Sequence, residues 1–269
     1  MQFIRHYLLA VQFFTRIPVT GPLAAWVGFS PAMLRASAAH FPGVGWIAGG
    51  VACAVYAAVA WGLPGNAFTP LLAAVLCTVA TVLLTGGFHE DGLADVADGL
   101  GGSADRARAL EIMKDSRVGA FGAMALALAL LAKVVVLAVL GAQGLTVVLV
   151  ALVGGHVLSR FMPLLLVATL PHVGDAAGSK SKPLADQIAR PALFAAFLWC
   201  FVPLVLVAWS LGAIFLIASS GACLLAGGWM WRLLTRRLQG FTGDGLGATQ
   251  QVCEIAFYLG AAVAAARAA

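Results

Sequence analysis

Seven stretches of about twenty apolar residues recur along this 269-residue chain, and no other feature constrains its fold as strongly. A helix rises about 1.5 Å per residue, so roughly 20 such residues cross the hydrocarbon core of a bilayer. The stretches fall at about 41–62, 67–88, 118–140, 144–170, 191–209, 212–231 and 248–266. Only 10% of the residues are charged, against about 25% in soluble domains. That excludes a secreted disulfide scaffold, a disordered chain and an ordinary soluble enzyme. The expected fold is all-α: a polytopic integral membrane helical bundle, one transmembrane domain over residues 1–269. Residues 1–18 read as an additional N-terminal amphipathic helix, stopped before Pro18.

The basic residues test this count. Thirteen of the sixteen Lys and Arg lie before the first stretch or in the segments 89–117, 171–190 and 232–247. The alternate connectors, around 63–66, 141–143 and 210–211, hold none. One span more or fewer breaks this alternation, and the positive-inside rule makes the basic side the cytoplasm. The net charge of +5 is thereby topological, and no nucleic-acid partner is expected. Arg5, His6 and Arg16 interrupt the opening apolar stretch and no small-residue cleavage site follows, so a cleavable signal peptide is not expected. The five cysteines all fall in apolar runs without metal-ligand spacing and read as small buried hydrophobes.

Seven of the eleven acidic residues crowd into residues 90–115: Glu90, Asp91, Asp95, Asp98, Asp105, Glu111 and Asp115. At about 100° per residue, Asp91, Asp95 and Asp98 share one narrow helical stripe, with Glu90 on its flank. Like charges at i, i+4 repel, and a divalent cation relieves that repulsion. Oxygen ligands without a His or Cys cluster favour Mg²⁺ or Mn²⁺, above all where a substrate phosphate completes the coordination. Ser103 is a candidate cap for a further helix after the Gly99–Gly102 break. The cluster Lys114-Asp115-Ser116-Arg117 suits phosphate and metal contact. A second polar island surrounds Asp244 with four glycines at the opening of the last stretch, where backbone amides can meet an anion. Within the stretches, Glu254 should face the bundle interior and Arg160 is similarly placed, with an intramembrane salt bridge to Glu254 as the alternative to a substrate contact. His156 packs with a hydrogen bond and Lys133 snorkels or binds lipid.

Gly87-Phe-His-Glu-Asp-Gly-Leu-Ala-Asp-Val-Ala-Asp-Gly99, Leu110-Glu-Ile-Met-Lys-Asp-Ser-Arg-Val-Gly119 and Gly243-Asp-Gly-Leu-Gly-Ala-Thr-Gln-Gln-Val-Cys-Glu254 resemble the cobalamin synthase family. Gln12-Phe-Phe-Thr-Arg-Ile-Pro18 and Phe41-Pro-Gly-Val-Gly45 match it as well. The resemblance implies a Mg²⁺-dependent enzyme (Mn²⁺ as the alternative) of the bacterial cytoplasmic inner membrane, multi-pass, with its site facing the cytoplasm. Its activity joins adenosylcobinamide-GDP to α-ribazole, or to α-ribazole 5′-phosphate, and releases GMP. Carried onto this sequence, Glu90, Asp91, Asp95, Asp98 and Asp115 are the expected metal acids. Asp95, Asp91, His89 and Asp244 are the expected catalytic groups, His89 either accepting the hydroxyl proton or orienting a carboxylate. Arg16, Lys114, Arg117, Arg160, Thr249 and Gln250 are the expected substrate and phosphate contacts, and Lys180 and Lys182 are left without a role. The partners implied are these small molecules and membrane lipid. A homo-oligomer and association with other cobalamin-pathway enzymes are both compatible with the resemblance.

Two other readings compete. Asp95-Val-Ala-Asp98-Gly99 is similar to the opening of the CDP-alcohol phosphotransferase motif, but Gly102-Ser103 stands where that family has Ala-Arg. A cation-coupled transporter would use the acids as an ion site, yet it calls for internal repeats and a midplane site, and the chain shows no repeat.

Overall fold

The computed structural model describes residues 1–174 and 188–267; Lys180 and Lys182 lie outside them. Among the described residues the chain forms eleven α-helices and no strand. Three short ones come first: α1 (Gln2–Phe14), α2 (Gly21–Val27) and α3 (Pro31–Ser37). Then follow α4 (Phe41–Gly62), α5 (Thr69–Thr85), α6 (Phe88–Gly102), α7 (Arg106–Ile112), α8 (Ala120–Gln143) and α9 (Leu145–Thr169). The series closes with α10 (Arg190–Leu238) and α11 (Gly243–Ala265). Proline stands in the first turn of α2, α3, α4, α5 and α10, where its missing N–H leaves no intrahelical bond unmade.

Helices occupy all seven expected stretches. Among the described residues, four helices are long and apolar enough to cross a membrane, and five if the bent pair α5–α6 counts as one. The difference has local causes. The 49-residue α10 is two arms, because Gly212 adopts φ 85°, ψ 169° inside it. On the first arm the Trp199 indole donates to His40 Nδ1 (3.2 Å) at the start of α4. At the far end of the second arm Arg237 reaches the carbonyl of Ser103 (2.7 Å) beside α6. Gly212 itself lies with Gln143 and Arg267 around a cavity of about 470 Å³ at the opposite end of the bundle. The chain therefore doubles back at Gly212. Of the remaining stretches, α5 has 17 residues, and α11 carries Asp244, Gln250, Gln251 and Glu254.

α11 is the central helix, touching α6, α8, α9 and α10, and its Phe257, Tyr258 and Ala261 are wholly buried. On α8, by contrast, Phe121, Met124, Leu128, Leu131, Val135 and Val139 follow one another at helical spacing and are all exposed. In water so continuous an apolar stripe is a liability; against lipid it is the solvated face. α1 to α3 pack Leu9, Val27 and Leu34 onto Phe41 and Val44 at the start of α4. α2 and α3 are absent from the sequence reading because neither exceeds two turns.

Two expectations are corrected. Lys133 neither snorkels nor meets lipid: it is 2% exposed and its Nζ lies 2.6 Å from Glu254 Oε1. Ser103 does not cap α7; Asp105 does, its Oδ1 accepting from Arg108 N–H (2.8 Å). Ser103 sits too far back and instead accepts the Asp105 N–H at 3.1 Å.

Candidate active site

The acidic stripe is placed by an elbow. α5 ends in two successive glycines with positive φ, Gly86 at 68° and Gly87 at 72°, a conformation that side-chain-bearing residues adopt only with strain. A Cβ on Gly86 would also collide with the Arg16 guanidinium. The chain turns by 89° there, so α6 leaves the direction of α5 with Glu90 and Asp91 in its first turn, where the helix dipole favours acids.

α6 then meets the first turns of α11 backbone to backbone. A Cβ on Gly92 would stand 2.7 Å from the Asp244 carbonyl oxygen, and one on Gly247 3.3 Å from His89 Cα. Thr242 caps α11 by accepting the Gly245 N–H at 3.1 Å. This crossing brings Asp91 and Asp95 of α6 together with Asp244 of α11. Burial, with the Asp244, Asp91 and Asp98 charges, pushes the Asp95 carboxyl up to about 7. Burial and Asp91 push Asp244 up to about 6. Among the described residues no Lys or Arg forms an ion pair with these three acids.

The other expected site residues are spread over several environments. Asp98 accepts Gly119 N–H on Oδ2 (2.7 Å) and Gly122 N–H on Oδ1 (2.8 Å), capping α8 from another helix. Asp115 is on the surface, held down to about 2 by hydrogen bonds from Arg117, whose Nη2 is 2.6 Å away. Lys114 is exposed in the turn after α7. Arg16 is exposed where α1 meets the elbow, its main-chain N–H bonded to the Leu84 carbonyl (2.7 Å). Glu90 is buried, with Oε1 accepting from Gln251 Nε2 (3.0 Å) and Oε2 without a partner. His89 is buried on the other side of α6, stacked on Phe41 with ring centroids 5.6 Å apart.

Arg160 and Gln250 belong to a polar network inside the bundle, and Thr249 is buried next to Gln250 on α11. Glu254 is its hub: besides Lys133, it meets His156 Nδ1 (3.2 Å) and Arg160 Nη1 (3.8 Å) and accepts from Gln250 Nε2 (2.6 Å) and the Tyr258 hydroxyl (3.2 Å). Arg160 also donates to the His156 carbonyl (2.8 Å), and Gln250 to Ser159 Oγ (3.0 Å). Thr249 is fully buried and donates to the Gly245 carbonyl (2.7 Å). The Glu254–Arg160 salt bridge, the structural alternative for Arg160, is thus present as one contact of five. Sequence reasoning missed the Lys133, Gln251 and Tyr258 contacts. The signal for part of it was there, since Gln250, Glu254 and Tyr258 recur every four residues along one face of α11.

The cluster at the α6–α11 crossing offers carboxylate oxygen only, a donor set suited to a hard cation. Among the described residues no three His, Cys, Asp or Glu side chains already converge as a metal group, so these acids amount to part of a coordination shell.

Comparison with known proteins returns one family consistently. The family model described as cobalamin-5-phosphate synthase matches residues 6–262. A protein of Polaromonas naphthalenivorans is 64% identical over 275 residues, covering 98% of this chain and 99% of that one. One of Leptothrix cholodnii is 47% identical over 261 residues (95% and 94%), and one of Vibrio cholerae 39% identical over 253 residues (94% and 91%). All three carry the name adenosylcobinamide-GDP ribazoletransferase. No solved structure matches the chain.

Proposed function

The chain belongs to the cobalamin-5-phosphate synthase family, a family of transferases, and from that premise we propose how its residues carry out the reaction. A ribose hydroxyl of α-ribazole, or of its 5′-phosphate, attacks the cobinamide-linked phosphate of adenosylcobinamide-GDP. The hydroxyl loses its proton to solvent as the oxygen–phosphorus bond forms, the anhydride bond to the guanylyl phosphate breaks, and GMP leaves. Such a transfer asks mainly for positioning and charge neutralisation.

The observation that carries this reading is the crossing of α6 and α11. It gathers Asp91, Asp95 and Asp244 and leaves their repulsion unrelieved by any Lys or Arg ion pair among the described residues. These three would hold Mg²⁺, with substrate phosphate oxygens completing its shell. When bound, the cation supplies charge neutralisation at the two phosphates. Asp98, committed to the α8 amides, and Asp115, committed to Arg117, are better suited to structural work. Arg16, exposed beside the elbow, is the favoured phosphate contact, whereas Arg160 is engaged with His156 and Glu254. The placement of His89 against Phe41 favours packing over proton transfer. The basic loops favour a site on the cytoplasmic face of the inner membrane.

The test uses membranes containing this chain, supplied with adenosylcobinamide-GDP, α-ribazole or its 5′-phosphate, and Mg²⁺. GMP and the corrinoid product are followed by mass. Wild type is expected to form both, a chelator to stop it, and Asp95→Ala to lose at least about 100-fold in rate. Equal product from Asp95→Ala removes that carboxylate from the chemistry, and no product from folded wild type overturns the proposal.

A further inference from the structure

A cavity of about 630 Å³ opens beside the acidic stripe, between Arg16 after α1, Val82 of α5, Glu90 and Asp91 of α6, and Leu126 and Leu130 of α8. We infer that this cavity receives the nucleoside substrate, with its base against the α8 wall and one ribose hydroxyl donated to Glu90. The inference rests on the transferase reading above and deepens it by dividing the site between its two substrates.

Three observations carry it. The first is size and shape: pockets for drug-sized ligands run from about 300 to 1,000 Å³, so a nucleoside fits whole, whereas a corrinoid does not. The second is the gradient of chemistry along the walls. The rim carries Arg16 and Asp91, both exposed. Leu130 lies about 15 Å along α8 from its start at Ala120, at a depth where the same helix presents its lipid-facing stripe. An apolar heteroaromatic base suits the deep end, and a ribose, with or without a phosphate, suits the rim. The third is Glu90. This cavity-lining side chain is 7% exposed, its Oε1 is fixed by Gln251, and its Oε2 has no partner. A buried carboxylate oxygen left unpaired is costly, and a ribose hydroxyl supplies the missing donor. A lipid tail offers none. Asp91, beside Glu90 on the same rim, then stands next to the ribose that attacks.

Full-length protein in detergent or proteoliposomes tests this. Binding of α-ribazole is measured directly in the absence of the second substrate and with chelator present, alongside KM for each substrate. Leu130→Trp, which fills the deep end, should raise Kd and KM for the nucleoside at least about tenfold and leave KM for adenosylcobinamide-GDP unchanged. Glu90→Gln, which keeps an acceptor for Gln251, should weaken nucleoside binding about tenfold, the scale of one charged hydrogen bond. Analogues lacking single ribose hydroxyls separate contact from structure. One of them should lose on wild type what Glu90→Gln loses, with no further loss on the variant. Wild type that forms product while both variants bind nucleoside normally overturns this assignment alone. Wild type that forms no product and binds no nucleoside overturns the transferase reading and the assignment with it.

Discussion

Asp95 and Asp98 stand one helical turn apart on α6 and are asked to do opposite things. Asp98 gives both oxygens to backbone amides of α8, and a Cβ on either Gly119 or Gly122 would strike its carboxylate. Asp98→Ala should therefore lower stability by about 1–2 kcal/mol, the usual worth of a helix cap, read as a fall in unfolding temperature. Asp95 is half-buried and surrounded by like charges. Its carboxyl is raised from 3.8 to about 7, so the folded chain binds that proton more tightly than the unfolded chain. Its contribution is complete below about 3.8 and is lost as pH rises through about 7. In chelator, Asp95→Asn should raise the unfolding temperature at pH 8, and the gain should shrink toward pH 4 while activity is absent at both. Helical periodicity made the stripe legible in the sequence. It could not separate these two roles, because the amides that claim Asp98 arrive from 21 and 24 residues further on. Nor does any local pattern join Glu90 to Gln251, 161 residues away.

Between elements, contact distance is set by glycine. Gly92 lets α6 lie against the Asp244 backbone, and Gly247 lets α11 lie against His89. Gly92→Leu should force the crossing apart and cut turnover at least about 100-fold, the cost of misplacing reacting groups by about an ångström, with helix content by circular dichroism preserved. Gly50 of α4 faces open space where a methyl would stand, and Gly50→Ala should leave turnover unchanged. The seven apolar stretches were readable because each runs for about twenty mostly apolar residues in the sequence, and the two arms of α10 were already separate in that reading. The right-angle elbow at Gly86–Gly87 was not foreseen, since a glycine pair marks a turn without fixing its angle. The Arg237 contact with the Ser103 carbonyl and the Arg106 contact with the Leu238 carbonyl (2.6 Å) were equally hidden. Each arginine serves the end of a helix distant from it in sequence.

The molecule as a whole is tied together by Glu254. It joins α8 through Lys133, α9 through His156 and Arg160, and its own helix through Gln250 and Tyr258. Removing one partner of a buried pair leaves the other charge uncompensated, so Glu254→Gln should cost about 3–5 kcal/mol. That loss should appear as a collapse in folded yield and unfolding temperature, and Lys133→Met added to Glu254→Gln should restore part of it. The same hub bears on how the protein is made. An acid at the middle of a helix raises the cost of bilayer entry by about 2.5–3.5 kcal/mol, and α11 is not among the helices apolar enough to cross on their own. It is translated after α8 and α9, which bring Lys133, His156 and Arg160 to meet that acid. The ribosome thus delivers the counter-charges before the charge. α11 is therefore expected to depend on those earlier helices for stable entry, and removing α8 and α9 from the chain ahead of it should abolish its insertion.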